Sequence, residues 1–139
     1  RRKWVHCFTD VTCVIFVAAL SEYDQLMAED DMTNRMKDAL DLFRDQINSQ
    51  WFYDKDIILF LNKRDLFQEK VATVPIDSVP EFSDYEGQPL DYNDGIRYFV
   101  GKFTSMNRYK ERKVFTQVTC ATDTGNIKFV FNACKQSVL

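Results

Sequence analysis

The stretch Asp56-Ile57-Ile58-Leu59-Phe60-Leu61-Asn62-Lys63-Arg64-Asp65 decides how this chain is read. Residues 57–61 are apolar without interruption. A strand needs such a run when both faces of its sheet are covered, as in a parallel sheet, rather than when one face meets water. The run stops at four polar residues, which places a loop at the strand's carboxyl end. Residues 11–20 and 113–119 read as two further strands. Apolar residues at helical spacing separate and follow them. Met32, Met36, Leu40, Phe43 and Ile47 mark a helix running to about Gln50; Ile96, Phe99, Val100, Phe103 and Met106 mark a second. Ile127, Val130, Phe131, Cys134 and Val138 mark a third, with Asp123 or Thr124 as its N-cap. With a helix end over residues 1–8, the alternation predicts an α/β domain: a mostly parallel sheet, right-handed crossovers and helices on both faces. Residues 74–94 hold all three prolines and read as a long loop.

Composition narrows the class. The chain has 139 residues, enough for one domain, and 45% apolar residues, enough for a buried core. Its net charge of −3 lacks the basic surplus of a nucleic-acid binder. The four cysteines, Cys7, Cys13, Cys120 and Cys134, form no C-x-x-C pair, and His6 is the single histidine, so no metal site is expected. The cysteines read as reduced thiols. The apolar run at 11–20 is about half of the ~20 residues that span a bilayer.

In an open α/β sheet, ligands sit beyond the carboxyl ends of the strands. Two loops reach that edge here: Asn62-Lys63-Arg64-Asp65 and Thr119-Cys120-Ala121-Thr122. Their residue types suit guanine. The ring N1–H and the exocyclic amine of guanine are adjacent donors, and one carboxylate, Asp65, accepts both in a fork. Adenine lacks that pair and leaves the carboxylate without partners. The backbone N–H of Ala121 can approach guanine O6 because its side chain is small. The Lys63 stem can lie along the purine face, and Asn62 can tie its loop to a neighbour. Taken alone, the four-residue loop is also compatible with a polar turn in which Asp65 caps the next helix.

More of the chain carries a specific likeness. Arg1-Arg2-Lys3-Trp4-Val5-His6-Cys7-Phe8, Ala19-Leu20-Ser21-Glu22-Tyr23-Asp24, Ala28-Glu29-Asp30, Asn34-Arg35-Met36, Trp51-Phe52, Phe60–Phe67 and Thr119–Thr124 together resemble the alpha subunits of heterotrimeric G proteins. Small Ras-like GTPases share the N-K-x-D pattern but lack the R-R-K-W helix and the S-x-Y-D segment. The resemblance implies a P-loop-NTPase, Ras-like α/β fold, of which residues 1–139 would be the C-terminal part, from the end of switch II to the last helix. It implies a switch that binds GDP with a beta-gamma dimer, exchanges it for GTP under a G protein-coupled receptor, engages effectors, and is reset by hydrolysis aided by GTPase-activating regulators. The setting would be the cytoplasmic face of the plasma membrane.

Residue by residue, the resemblance assigns Asn62, Lys63 and Asp65 to the guanine base, Ala121 to its O6, and Cys120 and Thr122 to the shape of the second loop. Lys3, Trp4, Cys7 and Phe8 would lie on a surface shared by beta-gamma and effectors. His6, Trp51 and Phe52 would join an effector groove. Glu29, Asp30 and Arg35 would belong to switch III, with Arg35 pairing an acidic residue of switch II in the GTP state. Read by itself, Glu29-Asp30-Asp31 is a solvated helix start.

No G-x-x-x-x-G-K-[ST] loop, switch I arginine and threonine, or D-x-G-G-Q segment occurs in these residues. The family's inserted helical domain and the tip of its last helix are likewise not found. The ligands of the implied Mg²⁺ and every catalytic group would therefore come from elsewhere. This stretch alone is expected neither to hydrolyse GTP nor to hold nucleotide well, and its sheet is expected to show an uncovered edge. The competing expectation is an alpha-subunit-like scaffold that binds partners without turnover.

Overall fold

A computed structural model describes residues 13–120 together with 128, 129 and 132. The expectations on residues 1–12, which include Lys3, Trp4, His6, Cys7 and Phe8, lie outside the described residues. So do those on Ala121, Thr122, Asp123 and Thr124 and most of the last apolar stripe.

Three strands form one sheet in the order β1-β2-β3: β1 (Cys13–Ala19), β2 (Asp56–Asn62) and β3 (Val114–Val118). Both pairings are parallel. Ala19 lies opposite Asn62, and Leu61 opposite Val118, so all three carboxyl ends stop at nearly one level. Ladder bonds run one residue past β3 at each end, from Ile57 N–H to Lys113 O (2.9 Å) and from Thr119 N–H to Leu61 O (2.9 Å). The expected strand at 113–119 thus holds in its bonding. Parallel neighbours need crossovers, which α1 (Arg35–Ile47), α2 (Arg64–Val71) and α3 (Tyr92–Thr104) occupy.

The unbroken apolar run of β2 has a simple cause. Ile57, Leu59 and Leu61 belong to the main core with Met36, Leu40, Phe43, Phe67, Phe99 and Phe103. Ile58 and Phe60 face the other way, where Phe115 and Phe129 pack on them. Each of these large side chains contributes about 1.5–3 kcal/mol by leaving water. Lys128, Phe129 and Asn132 are helical, so helices do stand on both faces. The chain is thus an α/β fold with a parallel sheet and helices on both faces. Among the described residues β1 pairs only with β2, and Ile15 and Val17, on the face away from α1, are 50% and 57% exposed.

One stripe residue was misplaced. The first helix begins at Arg35, not near Met32, and Met32 is 81% exposed. Asn34 caps it by accepting from Lys37 N–H (2.9 Å), and Asp30 folds the preceding turn by accepting from the N–H groups of Met32 (2.9 Å) and Thr33 (3.0 Å). Both caps outcompete a four-residue extension of the apolar stripe. The helix ends at Ile47, three residues before Gln50. Residues 74–91 form the expected long loop, and α3 takes over at Tyr92. Two short 3-10 turns (Ile76–Ser78 and Pro80–Phe82) bury Ile76, Val79 and Phe82 against α2 and α3.

Candidate functional site

The loop after β2 turns sharply because Lys63 adopts a left-handed backbone (φ 62°, ψ 39°). A non-glycine residue holds that conformation only where its surroundings fix it, and such residues gather at functional sites. Here the fixing comes from the end of β3. Arg64 N–H donates to Thr119 O (3.0 Å), and the hydroxyl of the fully buried Thr119 donates to Asn62 Oδ1. With the ladder bond from Thr119 N–H to Leu61 O, one residue grips the loop at three points. The described start of the second loop singled out by sequence is thereby held against the first. Cys120 follows Thr119 directly and is half-buried.

The turn at Lys63 starts α2, and Asp65 falls in its first turn, exposed. No side chain caps α2, so Asp65 is not occupied as a helix cap. The helix amino end favours a negative charge there. An exposed carboxylate on a braced loop, at the carboxyl edge of a parallel sheet, is free to accept a pair of donors from a ligand. Sequence reasoning placed Thr119 in the second loop but gave roles only to Cys120, Ala121 and Thr122. What sets Thr119 apart is its complete burial, which only the fold reveals.

The other candidates spread over the molecule. A groove of about 510 Å³ runs between the end of β1 and α1, floored by Phe16, Ala18, Met36 and Ala39, and reaches Asn62 and Lys63. Glu29 and Arg35 line its rim. Arg35 pairs with Glu22 (3.5 Å) and donates from Nε to Leu26 O (2.9 Å). Glu29, Asp30 and Asp31 are exposed, in a turn that precedes the helix rather than at its first turn. Hydrogen bonds from the Thr33 hydroxyl, Thr33 N–H and Met32 N–H hold the Asp30 carboxyl down to about 2. Trp51 and Phe52 sit beyond the far end of α1 and do not line this groove. Trp51 is 42% exposed.

The G-protein alpha subunit family matches residues 1–138 of the chain. The chain belongs to that family. It is 48% identical over all its 139 residues to a guanine nucleotide-binding protein alpha-1 subunit of Mycosarcoma maydis, and covers 38% of that protein. It is 48% identical to an alpha-4 subunit of Dictyostelium discoideum, covering 39% of it, and 45% identical to a G(o) subunit alpha of Caenorhabditis elegans, covering 38%. The chain thus spans about two fifths of the length of these alpha subunits. β2 runs directly into Asn62-Lys63-Arg64-Asp65, and β3 into Thr119-Cys120-Ala121-Thr122. Among the described residues, no three of His, Cys, Asp and Glu are grouped to hold a metal ion, and no helix is long and apolar enough to cross a membrane.

Proposed function

We propose that the full-length protein is a GTP/GDP switch in which this stretch reads the guanine base. The observation that carries the reading is the braced loop: left-handed Lys63, the Thr119–Asn62 hydrogen bond and the uncapped, exposed Asp65 at one sheet edge. Asp65 would accept guanine N1–H and the 2-amine. Lys63 would lie on the ring, and Ala121 N–H would donate to O6. Asn62, already an acceptor from Thr119, keeps its amide donors for a neighbouring loop.

Family membership supports the rest. The protein would hold a beta-gamma dimer in the GDP form through Lys3, Trp4, Cys7 and Phe8. It would exchange nucleotide at a receptor on the cytoplasmic face of the plasma membrane and engage effectors with His6, Trp51 and Phe52. Glu29, Asp30 and Arg35 would report the nucleotide state. Mg²⁺ would assist at the phosphates, and no described residue is assigned to it. Hydrolysis, sped by GTPase-activating regulators, would return the GDP form.

The test is a paired assay on the full-length protein. GTP should be converted to GDP and phosphate, and a non-hydrolysable GTP analogue should release beta-gamma. A protein that holds beta-gamma unchanged by nucleotide, with no turnover, would be the interaction scaffold instead.

A further inference from the structure

The helix that carries the base reader is anchored at both ends, and only one anchor belongs to the base loops. At its start, Arg64 and Asn62 are tied to Thr119. At its end, the Lys70 ammonium donates to Ser21 O (2.6 Å) and to Asp24 Oδ1 (2.7 Å), and it lies 5.9 Å from the centre of the Tyr23 ring. Both members of this ion pair are only about one quarter exposed: 24% for Lys70 and 25% for Asp24. Screening is weaker there than at an open surface, so the pair has directional force.

The segment that Lys70 grips is itself tied forward. Tyr23 is fully buried, stacks edge-on against Phe67 of α2 at 5.5 Å and donates its hydroxyl to Val74 O (2.7 Å). Its own carbonyl accepts from Asn34 Nδ2 (2.7 Å), and Asn34 is the cap of α1. Glu22 in the same turn pairs with Arg35. The two ends of the 26–34 loop meet at a bridge between Leu26 and Asn34, Asn34 fastens them to the 20–24 turn, and that turn is fastened to α2.

We propose that Lys70 is a positioning residue that couples the guanine reader to the 26–34 segment. The Lys70–Asp24 pair fixes the far end of a rigid two-turn helix and so sets where Asp65 stands. By reciprocity, an occupied base site steadies the 20–24 turn and the segment hung from it. This rests on the guanine reading proposed above.

The experiment uses the full-length protein with Lys70→Met, which keeps the stem over Tyr23 and removes the ammonium, and Asp24→Asn, which keeps shape and removes charge. Each should release GDP about tenfold faster, since a small displacement of a positioning group has effects of that order or larger. The preference for GDP over ADP should stay within about twofold, because the reader itself is intact. The double variant should release GDP no faster than either single one, as expected for one shared interaction, and Lys70→Arg should restore most of the wild-type rate. Amide hydrogen exchange should rise together over 26–34 and 64–67. Wild-type release rates in both single variants, additive effects in the double, or exchange rising evenly through the sheet would each overturn the coupling. The exchange arm needs no nucleotide. A wild-type protein that fails to bind GDP therefore sinks the guanine reading, while exchange at the two segments still decides the link.

Discussion

Replacing Asp65 by Asn is expected to turn the full-length protein from a GDP binder into an XDP binder. Guanine offers two donors on one edge, and a carboxylate matches them with two acceptors. An amide matches only one and sets its NH₂ against the other. In xanthine the 2-amine is replaced by an oxygen, which the Asn NH₂ can serve. Sites that recognise a buried hydrogen-bonding edge discriminate by large factors, so GDP affinity should fall at least about a hundredfold while XDP affinity rises. The fold should not suffer, because Asp65 is exposed and caps nothing. Competition of GDP and XDP against a fluorescent guanine nucleotide reads the change. Unaltered guanine selectivity in the variant would remove Asp65 from the role of reader.

The second large effect is on stability. Arg112 is only 7% exposed, yet it makes no ion pair among the described residues. Its guanidinium instead donates to the carbonyls of Ile47, Phe52 (3.1 Å) and Tyr53 (3.3 Å), and from Nε to Asn107 Oδ1 (3.0 Å). It also lies 5.4 Å from the centre of the Tyr109 ring. Burial disfavours the charged form and lowers its pKa, and these oxygens replace the lost water. Arg112→Met fills similar space but takes the guanidinium donor from the carbonyls of Ile47 and Tyr53, while Phe52 O keeps the N–H of Lys55 (2.9 Å). Unfolding in urea should show a loss of about 3 kcal/mol, the order found when one side of a buried charged network is removed. The knot sits at the amino ends of β2 and β3, away from Asn62 and Thr119, so nucleotide preference should not change. A loss below about 1 kcal/mol would mean that water serves these carbonyls as well as Arg112 does.

These two residues show where sequence was informative and where it was not. The span of β2 and the loop behind it were legible because a doubly covered strand requires an unbroken apolar run and a polar stop. Asp65 stood out as a candidate because the chemistry proposed for it is local: one carboxylate, one pair of donors. Met32 was misread because periodicity does not know that Asn34 and Asp30 end the preceding turn with side-chain hydrogen bonds. The 3-10 turns that bury Ile76, Val79 and Phe82 carry no long-range period, so the sequence shows the proline-bearing loop but not the residues that pin it. Thr119, Lys70 and Arg112 act through partners 46–65 residues away. Nothing in a linear pattern marks which of many threonines, lysines and arginines will meet such a partner.

The central claim is that Asn62, Lys63 and Asp65, braced by Thr119, select guanine. Titration of the full-length protein with GDP and with ADP in a calorimeter tests it most directly. GDP should bind, and ADP should bind more weakly by at least about a thousandfold, as for sites whose polar edge is left unpaired by the wrong ligand. Equal affinity for the two nucleotides, or binding of neither, would contradict it.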